Sequence, residues 1–366
     1  MKKIATPAIL VAAAALALGT FGACSSAPPA STGTSAGAAA TTAATQFPDF
    51  LACMISDAGG FDDKSFNQSG YEGMTQAQSE LGVQIKTAES KDMTDYAPNL
   101  AAMQAQNCNL TITVGFNLAD ATKTQATNNP KSNFAIIDDN SISLPNVKPL
   151  VFKTSDASFL AGYVAAAYSK SGIVATFGGM QFPTVTIFMD GFVDGVAKYN
   201  ADYGKTVKVL GWDKAAQNGS FTGDFDDQSK GQNLTQQFIS QGADVVMPVA
   251  GPVGLGAAAA AQSAGNVAIV WVDADGFNTA PQYQDLFLTS VIKEIQVAVF
   301  DTVKATAAGS FSATPFVGTL ANGGVGIAPF HNFDSKIPQD VKDKVAQLQK
   351  DISSGTLKVT SPSDPK

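Results

Sequence analysis

From residue 50 onward, short apolar runs alternate with longer amphipathic stretches. Strand-length runs lie at 51–55, 83–85, 110–114, 134–137 and 149–152, separated by helical stretches such as 69–81 and 96–106. A second series follows at 173–177, 207–210, 245–249, 268–272 and 286–291, with helices that include 157–168, 184–199, 230–241 and 254–264. Continuous apolar strands bounded by helices indicate parallel sheets covered on both faces, because a strand buried on both sides loses the polar alternation. The two series predict an α/β chain of two doubly wound parallel-sheet lobes joined by a hinge. Ligands of open α/β sheets bind beyond the carboxyl ends of the strands, so the loops at those ends are the ones to read.

These loops share a composition. The run 51–55 ends in Ser56-Asp57-Ala58-Gly59-Gly60, the run 134–137 in Asp138-Asp139, the run 245–249 in Ala250-Gly251, and the run 268–272 in Asp273-Ala274-Asp275. Carboxylates at several strand ends, beside glycines that let backbone approach closely, suit a ligand rich in hydroxyl or amide groups. A single aspartate at such a junction is ordinarily a helix cap. Its recurrence in both series points to a site.

The N-terminal stretch is of another kind. Lys2 and Lys3 precede an apolar segment at 9–18, which has signal-peptide length and is too short for a relaxed membrane span. Gly22 and Ala23 then lead to Cys24, an arrangement that resembles a lipobox, in which the cysteine is lipidated on sulfur; Phe21 stands where leucine is usual. An ordinary signal peptide with an incidental cysteine is the alternative. Residues 25–46 carry no charge and no large apolar side chain, so they cannot offset chain entropy by burial and are expected to form a flexible tether. The expected organisation is a signal peptide over 1–23, Cys24 and its tether over 24–47, an N-terminal lobe of 48–153 plus about 294–315, a C-terminal lobe of 154–293 plus about 316–352, and a tail over 353–366. This places the folded part at the extracytoplasmic face of a bacterial membrane, where disulfides persist. Cys53 lies on the first run and Cys108 just before the third, neighbours in a sheet of order 2-1-3-4-5, so a disulfide and a pair of buried thiols are both open.

Charge narrows the partners. The chain of 366 residues has a net charge of −8, and all 23 of its cationic residues are lysines. An acidic chain lacks the basic footprint that nucleic acid requires. Without arginine there is no bidentate fork for phosphate or carboxylate, which favours a neutral solute over a nucleotide.

The stretch from Asp57 to Ser69, Asp-Ala-Gly-Gly-Phe-Asp-Asp-Lys-Ser-Phe-Asn-Gln-Ser, is similar to the signature of the basic membrane protein family, substrate-binding lipoproteins of ABC importers whose characterised members bind purine nucleosides. The resemblance continues in order through Thr113-Val114-Gly115-Phe116, Ser158-Phe159-Leu160-Ala161-Gly162-Tyr163, Gly178-Gly179-Met180, Asp190-Gly191-Phe192, Asn218-Gly219-Ser220-Phe221, Pro248-Val249-Ala250-Gly251, Thr289-Ser290-Val291-Ile292-Lys293 and Asn322-Gly323-Gly324. It implies the type I periplasmic-binding-protein fold, an ABC permease as partner, and adenosine, guanosine or inosine as ligand. It also implies roles for individual residues. Phe66 would stack on the purine, and Asn67 would pair with a base edge through its amide. Asp138 would accept from ring nitrogens, with Asp139 as the alternative, and Asp57 would bond within the site or organise the glycine loop. On the second lobe Phe221 is the candidate for the opposite aromatic wall, with Phe225 close by; Met247 occupies a position often aromatic in relatives. Asp273 would accept from two ribose hydroxyls, Lys293 would donate to the ribose and hold Asp273 ionised, and Gly251 would let backbone approach the sugar.

Neither catalysis nor a cofactor is expected. His331 is the single histidine and has no nucleophile motif near it, and neither G-x-S-x-G nor H-E-x-x-H occurs. The acidic segment 224–231 lacks the glycine and terminal glutamate of a calcium loop, so no metal is expected there. Three readings remain as rivals: the same fold holding a sugar or furanose signal, an extracytoplasmic nucleoside-processing enzyme working through aspartates alone, and a sensor ectodomain. The last is disfavoured by the lack of a later membrane-length apolar run.

Overall fold

A computed structural model describes residues 45–365. The expected signal peptide, Cys24 and the tether up to residue 44 lie outside the described residues. At the end of the expected tether the Phe47 amide donates to the Leu81 carbonyl at 2.7 Å, and the Gln46 side chain donates to the Glu80 carbonyl.

The first lobe is a parallel sheet of β1 (Leu51–Ile55), β2 (Gln84–Ala88), β3 (Leu110–Val114), β4 (Asn133–Ile137) and β5 (Val147–Phe152), laid side by side in the order 2-1-3-4-5. Every residue of central β3 is buried, whereas edge strand β2 is largely exposed, which is why the apolar run at 83–85 covers only its start. The two threonines that interrupt β3 are satisfied. Thr113 shares a 2.9 Å hydrogen bond with Thr122, and Thr111 accepts one from Gln104. Cys53 and Cys108 form a disulfide with their Cα atoms 5.9 Å apart. Closing a loop of this length removes denatured-state entropy worth about 4 kcal/mol.

The second lobe repeats the winding. Its strands are β6 (Ile173–Gly178), β7 (Lys208–Leu210), β10 (Val245–Val249), β11 (Ala268–Asp273) and β12 (Phe287–Lys293), ordered 7-6-10-11-12, with a two-residue-a-side hairpin of β8 (Trp212–Asp213) and β9 (Asn218–Gly219) beside them. Helix Thr154–Tyr168 is apolar nearly all round and buried from 154 to 166. Such a helix has no face for water, and it is enclosed by helix Pro183–Tyr203 and by the β12 edge of the sheet.

One boundary differs from the expectation. Residues 316–352 were assigned to the C-terminal lobe, but β13 (Phe316–Gly318) pairs in parallel with β5 of the first sheet, and only β14 (Val325–Ile327) pairs, antiparallel, with β12 of the second. Strand β5 is buried on both faces and would otherwise leave an open edge; a short final strand on each sheet covers such an edge. The chain therefore passes between the sheets after β5, after β12 and between β13 and β14. The expected tail packs on the second lobe over its described residues, 353–365. Ser361 donates to Asp190 at 2.5 Å, Ser155 donates to Asp364 at 2.7 Å, and the Thr360 carbonyl accepts from Lys214 at 2.6 Å.

Candidate functional site

The carboxyl ends of the two sheets face each other across a cavity of about 70 Å³. Ligand pockets commonly hold about 300–1,000 Å³, so the cleft is narrow in this structure. Seven of the eight expected ligand-contacting residues line the cavity: Asp57, Phe66, Asn67, Asp138, Gly251, Asp273 and Lys293. Phe221 does not.

The first lobe brings its groups in through the β1 loop and the first turn of helix Phe66–Leu81. Asp63 caps that turn, its carboxylate accepting from the Ser65, Asn67 and Gln68 amides at 2.8–3.0 Å. The cap fixes Asn67, whose side-chain amide donates to Asp57 at 2.8 Å and to Asp63 at 3.1 Å. With both amide hydrogens held by the protein, the Asn67 carbonyl oxygen is left buried without a partner. Burial raises Asp57 well above the ordinary carboxylate range against the opposing Asn67 bond, and burial raises Asp63 to about 6 against the three amides. Gly115 makes room for Asp57: a Cβ there would lie 2.3 Å from its Oδ2.

Asp138 and Asp273 form a matched pair. Each stands at the end of the fourth strand of its lobe, and each adopts a left-handed backbone, with φ of 65° and 68°. Non-glycine residues pay for this conformation in strain, and such strain concentrates at functional positions. Here it turns both carboxylates toward Lys293 at the end of β12. The ammonium lies 2.5 Å from Asp138 and 3.4 Å from Asp273, and sits 5.0 Å from the ring centres of both Phe66 and Phe188. Burial by itself would lower the lysine, but the two carboxylates outweigh it and hold Lys293 charged. The Asp273 oxygen that faces the ammonium at 3.4 Å is Oδ1, which is buried and makes no hydrogen bond beyond this long ion pair. Asp139 turns away to bond Ser141, as a loop-stabilising turn does.

Aromatic rings supply the second lobe's wall. Phe182, Phe188 and Phe225 line the cavity from this side, and Phe116 reaches in from the first lobe to stack on Phe182 with ring centres 5.3 Å apart. Phe182 in turn packs against Phe225 at 6.2 Å. The expected wall, Phe221, is instead a packing residue. Its ring meets Trp212 edge-on at 5.9 Å and covers Gly178, where a Cβ would fall 2.6 Å from it. The adjacent Gly179 seats Phe225 in the same manner, at 2.4 Å. Neighbouring positions of an extended chain point to opposite sides, so one phenylalanine is sent into the lobe and the other toward the cavity. Met247 is fully buried, touches Ser158 and does not line the cavity. His331 is likewise remote from it, bonded to Asp275 at 2.8 Å and stacked on Phe277 at 4.0 Å.

Similarity to known proteins agrees with this arrangement. The family described as PnrA-like ABC transporter substrate-binding proteins matches residues 50–360. The chain belongs to that family. It is 32% identical over 331 residues to the ABC transporter nucleoside-binding protein BmpA of Lactococcus lactis, covering 86% of this chain and 90% of the relative. It is 27% identical over 308 residues to basic membrane protein D of Borreliella burgdorferi, covering 82% and 85%. A solved solute-binding protein of an ABC transporter system from Aeropyrum pernix superposes with a TM-score of 0.78 at 24% identity, covering 86% of this chain and 94% of that one. The fold is the type I periplasmic-binding-protein fold, and the protein is a substrate-binding component of an ABC transporter, a role that implies a solute and a permease. Its relatives are solute-binding proteins. No helix among the described residues is long and apolar enough to cross a membrane.

Proposed function

We propose that the protein is tethered through lipidated Cys24 at the extracytoplasmic face of the membrane and captures a purine nucleoside for its permease. The observation that carries the ligand assignment is Asn67 Oδ1, a buried acceptor without a partner, beside Asp273 Oδ1, which is held only by a 3.4 Å ion pair with Lys293, in a cavity that also presents the Phe66 ring. Buried acceptors without partners are costly, and a ligand supplying N–H and O–H groups removes that cost. A nucleoside supplies both kinds of donor on one rigid frame, with an aromatic face for stacking. The printed name of the Lactococcus relative, a nucleoside-binding protein, supports the same reading. Asn67 is assigned to the base, Asp273 and Lys293 to the ribose, and Asp57 and Asp138 to the remaining base atoms.

Calorimetry on protein freed of any retained solute, titrated with adenosine, guanosine and inosine, tests this. Saturable one-to-one binding is expected, weakened by a few kcal/mol in Asp273→Ala because two ribose hydroxyls lose their acceptor, at ~1–3 kcal/mol per group. Equal affinity for free ribose would remove the base from the assignment, and an unchanged dissociation constant in Asp273→Ala would remove the ribose from Asp273. Release of free hypoxanthine from inosine would replace capture with catalysis. For the anchor, Cys24→Ser is expected to free the protein from membranes; retention there would sink the lipidation.

A further inference from the structure

A serine at the start of a helix normally caps it, its hydroxyl accepting an amide of the first turn. Ser65 holds that place before helix Phe66–Leu81, yet its side chain makes no such bond. Asp63 takes over the capping with three amides, and the freed Ser65 hydroxyl crosses to the other lobe. It lies 2.9 Å from Asp273 Oδ2 and 3.1 Å from the Val272 carbonyl, buried in both cases. The preceding residue does the same with its backbone. Lys64 adopts a left-handed conformation, φ 62°, which turns its carbonyl toward the second lobe to accept from Trp271 Nε1 at 3.2 Å and from Thr279 Oγ1 at 2.7 Å.

We infer that the Lys64–Ser65 turn is a closure latch, with Ser65 a positioning residue that ties the ligand-facing carboxylate of Asp273 to the joining of the lobes. A hydroxyl has one hydrogen and here two acceptors, so it can pass between Asp273 and the Val272 carbonyl as Asp273 turns to a solute. Parting the lobes breaks every one of these bonds at once and exposes six polar groups that water then satisfies. The latch therefore acts chiefly after encounter, on the rate of escape, because an incoming solute meets the open form in which none of the bonds exists. The inference does not require the solute to be a nucleoside, but its kinetic arm uses that reading.

The test compares wild type with Ser65→Ala and Thr279→Val, the second of which removes a latch bond without touching Asp273. Spin labels at the exposed positions Lys91 and Lys205, one on each lobe, report the interlobe distance in the ligand-free protein, and thermal melts confirm folding. Both variants are expected to lengthen the distance distribution. Loss of one hydrogen bond should raise adenosine dissociation roughly five- to tenfold, with association within about twofold of wild type. Distance distributions identical to wild type in both variants would overturn the latch. Absence of adenosine binding to wild type would strike the nucleoside reading alone, and the distance measurement would still decide the latch.

Discussion

The first lobe presents polar groups from strand ends and one capped helix turn, along with Phe66 and Phe116, whereas the second presents phenylalanines from a loop and from the start of helix Pro183–Tyr203, together with a single carboxylate, Asp273. Both lobes have the same winding, and both place a left-handed aspartate after the fourth strand. They differ in what surrounds it. In the first lobe Asp57, Asp63 and Asn67 hold one another through direct hydrogen bonds, so the polar half is preorganised before any solute arrives. In the second, Phe182 leans on Phe225 and, across the cleft, on Phe116, a contact that forms only when the lobes meet. One half of the cavity fixes hydrogen-bond geometry, and the other changes as the cleft closes. Lys293 belongs to both.

The largest expected effect comes from removing that shared residue. Lys293→Met leaves Asp138 and Asp273 buried and facing each other without their cation, and stability should fall by about 3–5 kcal/mol in urea denaturation. A loss below about 1 kcal/mol would mean that the two halves are not joined electrostatically.

The next effect is confined to the first lobe and depends on pH. Asp63 has its carboxyl raised to about 6 in the fold, above its unfolded value, so the folded state binds the proton more tightly than the unfolded state does. Its stabilising contribution is complete below about pH 4 and is lost as pH rises through about 6, an amount of up to about 3 kcal/mol. Urea midpoints measured between pH 4 and 7 should show this decline in wild type and a shallower one in Asp63→Asn, where Asp57 still titrates; parallel profiles would place the titration elsewhere.

The smallest effect separates the two phenylalanines of the second lobe. Phe225→Ala should weaken solute binding by about 1–2 kcal/mol through lost ring contact. Phe221→Ala should lower the melting temperature through the void beside Trp212 while leaving the dissociation constant within about twofold. The opposite pattern would return the wall to Phe221.

Much of the polar half was legible from the chain. Asp57, Asp138 and Asp273 follow apolar runs directly, and a side chain at a strand's carboxyl end is placed by the sheet itself. Phe66 and Asn67 were legible for another reason, the resemblance of the stretch 57–69 to a family signature, and they open the helix that follows β1. The aromatic half was not. Phe221 and Phe225 lie four residues apart in one loop, and composition gives both the same standing. What separates them is that Gly178 and Gly179 point to opposite sides, a relation between segments more than forty residues away. Phe182 and Phe188 carried no local signal beyond their place around the start of a helix.

The lobe boundary failed in the same way, because β13 is three residues long and its sheet is decided by which edge lies open.

The sequence by itself determined the two windings and the acidic strand ends, because apolar periodicity and residue type act over a few neighbours. Only the tertiary structure decided the left-handed turn of Asp138 and Asp273 onto one lysine, the ring that faces the cavity, and the diversion of Ser65 from its helix to the opposite lobe. Each of these depends on a partner brought near by folding, and the energy that fixes it resides in that contact.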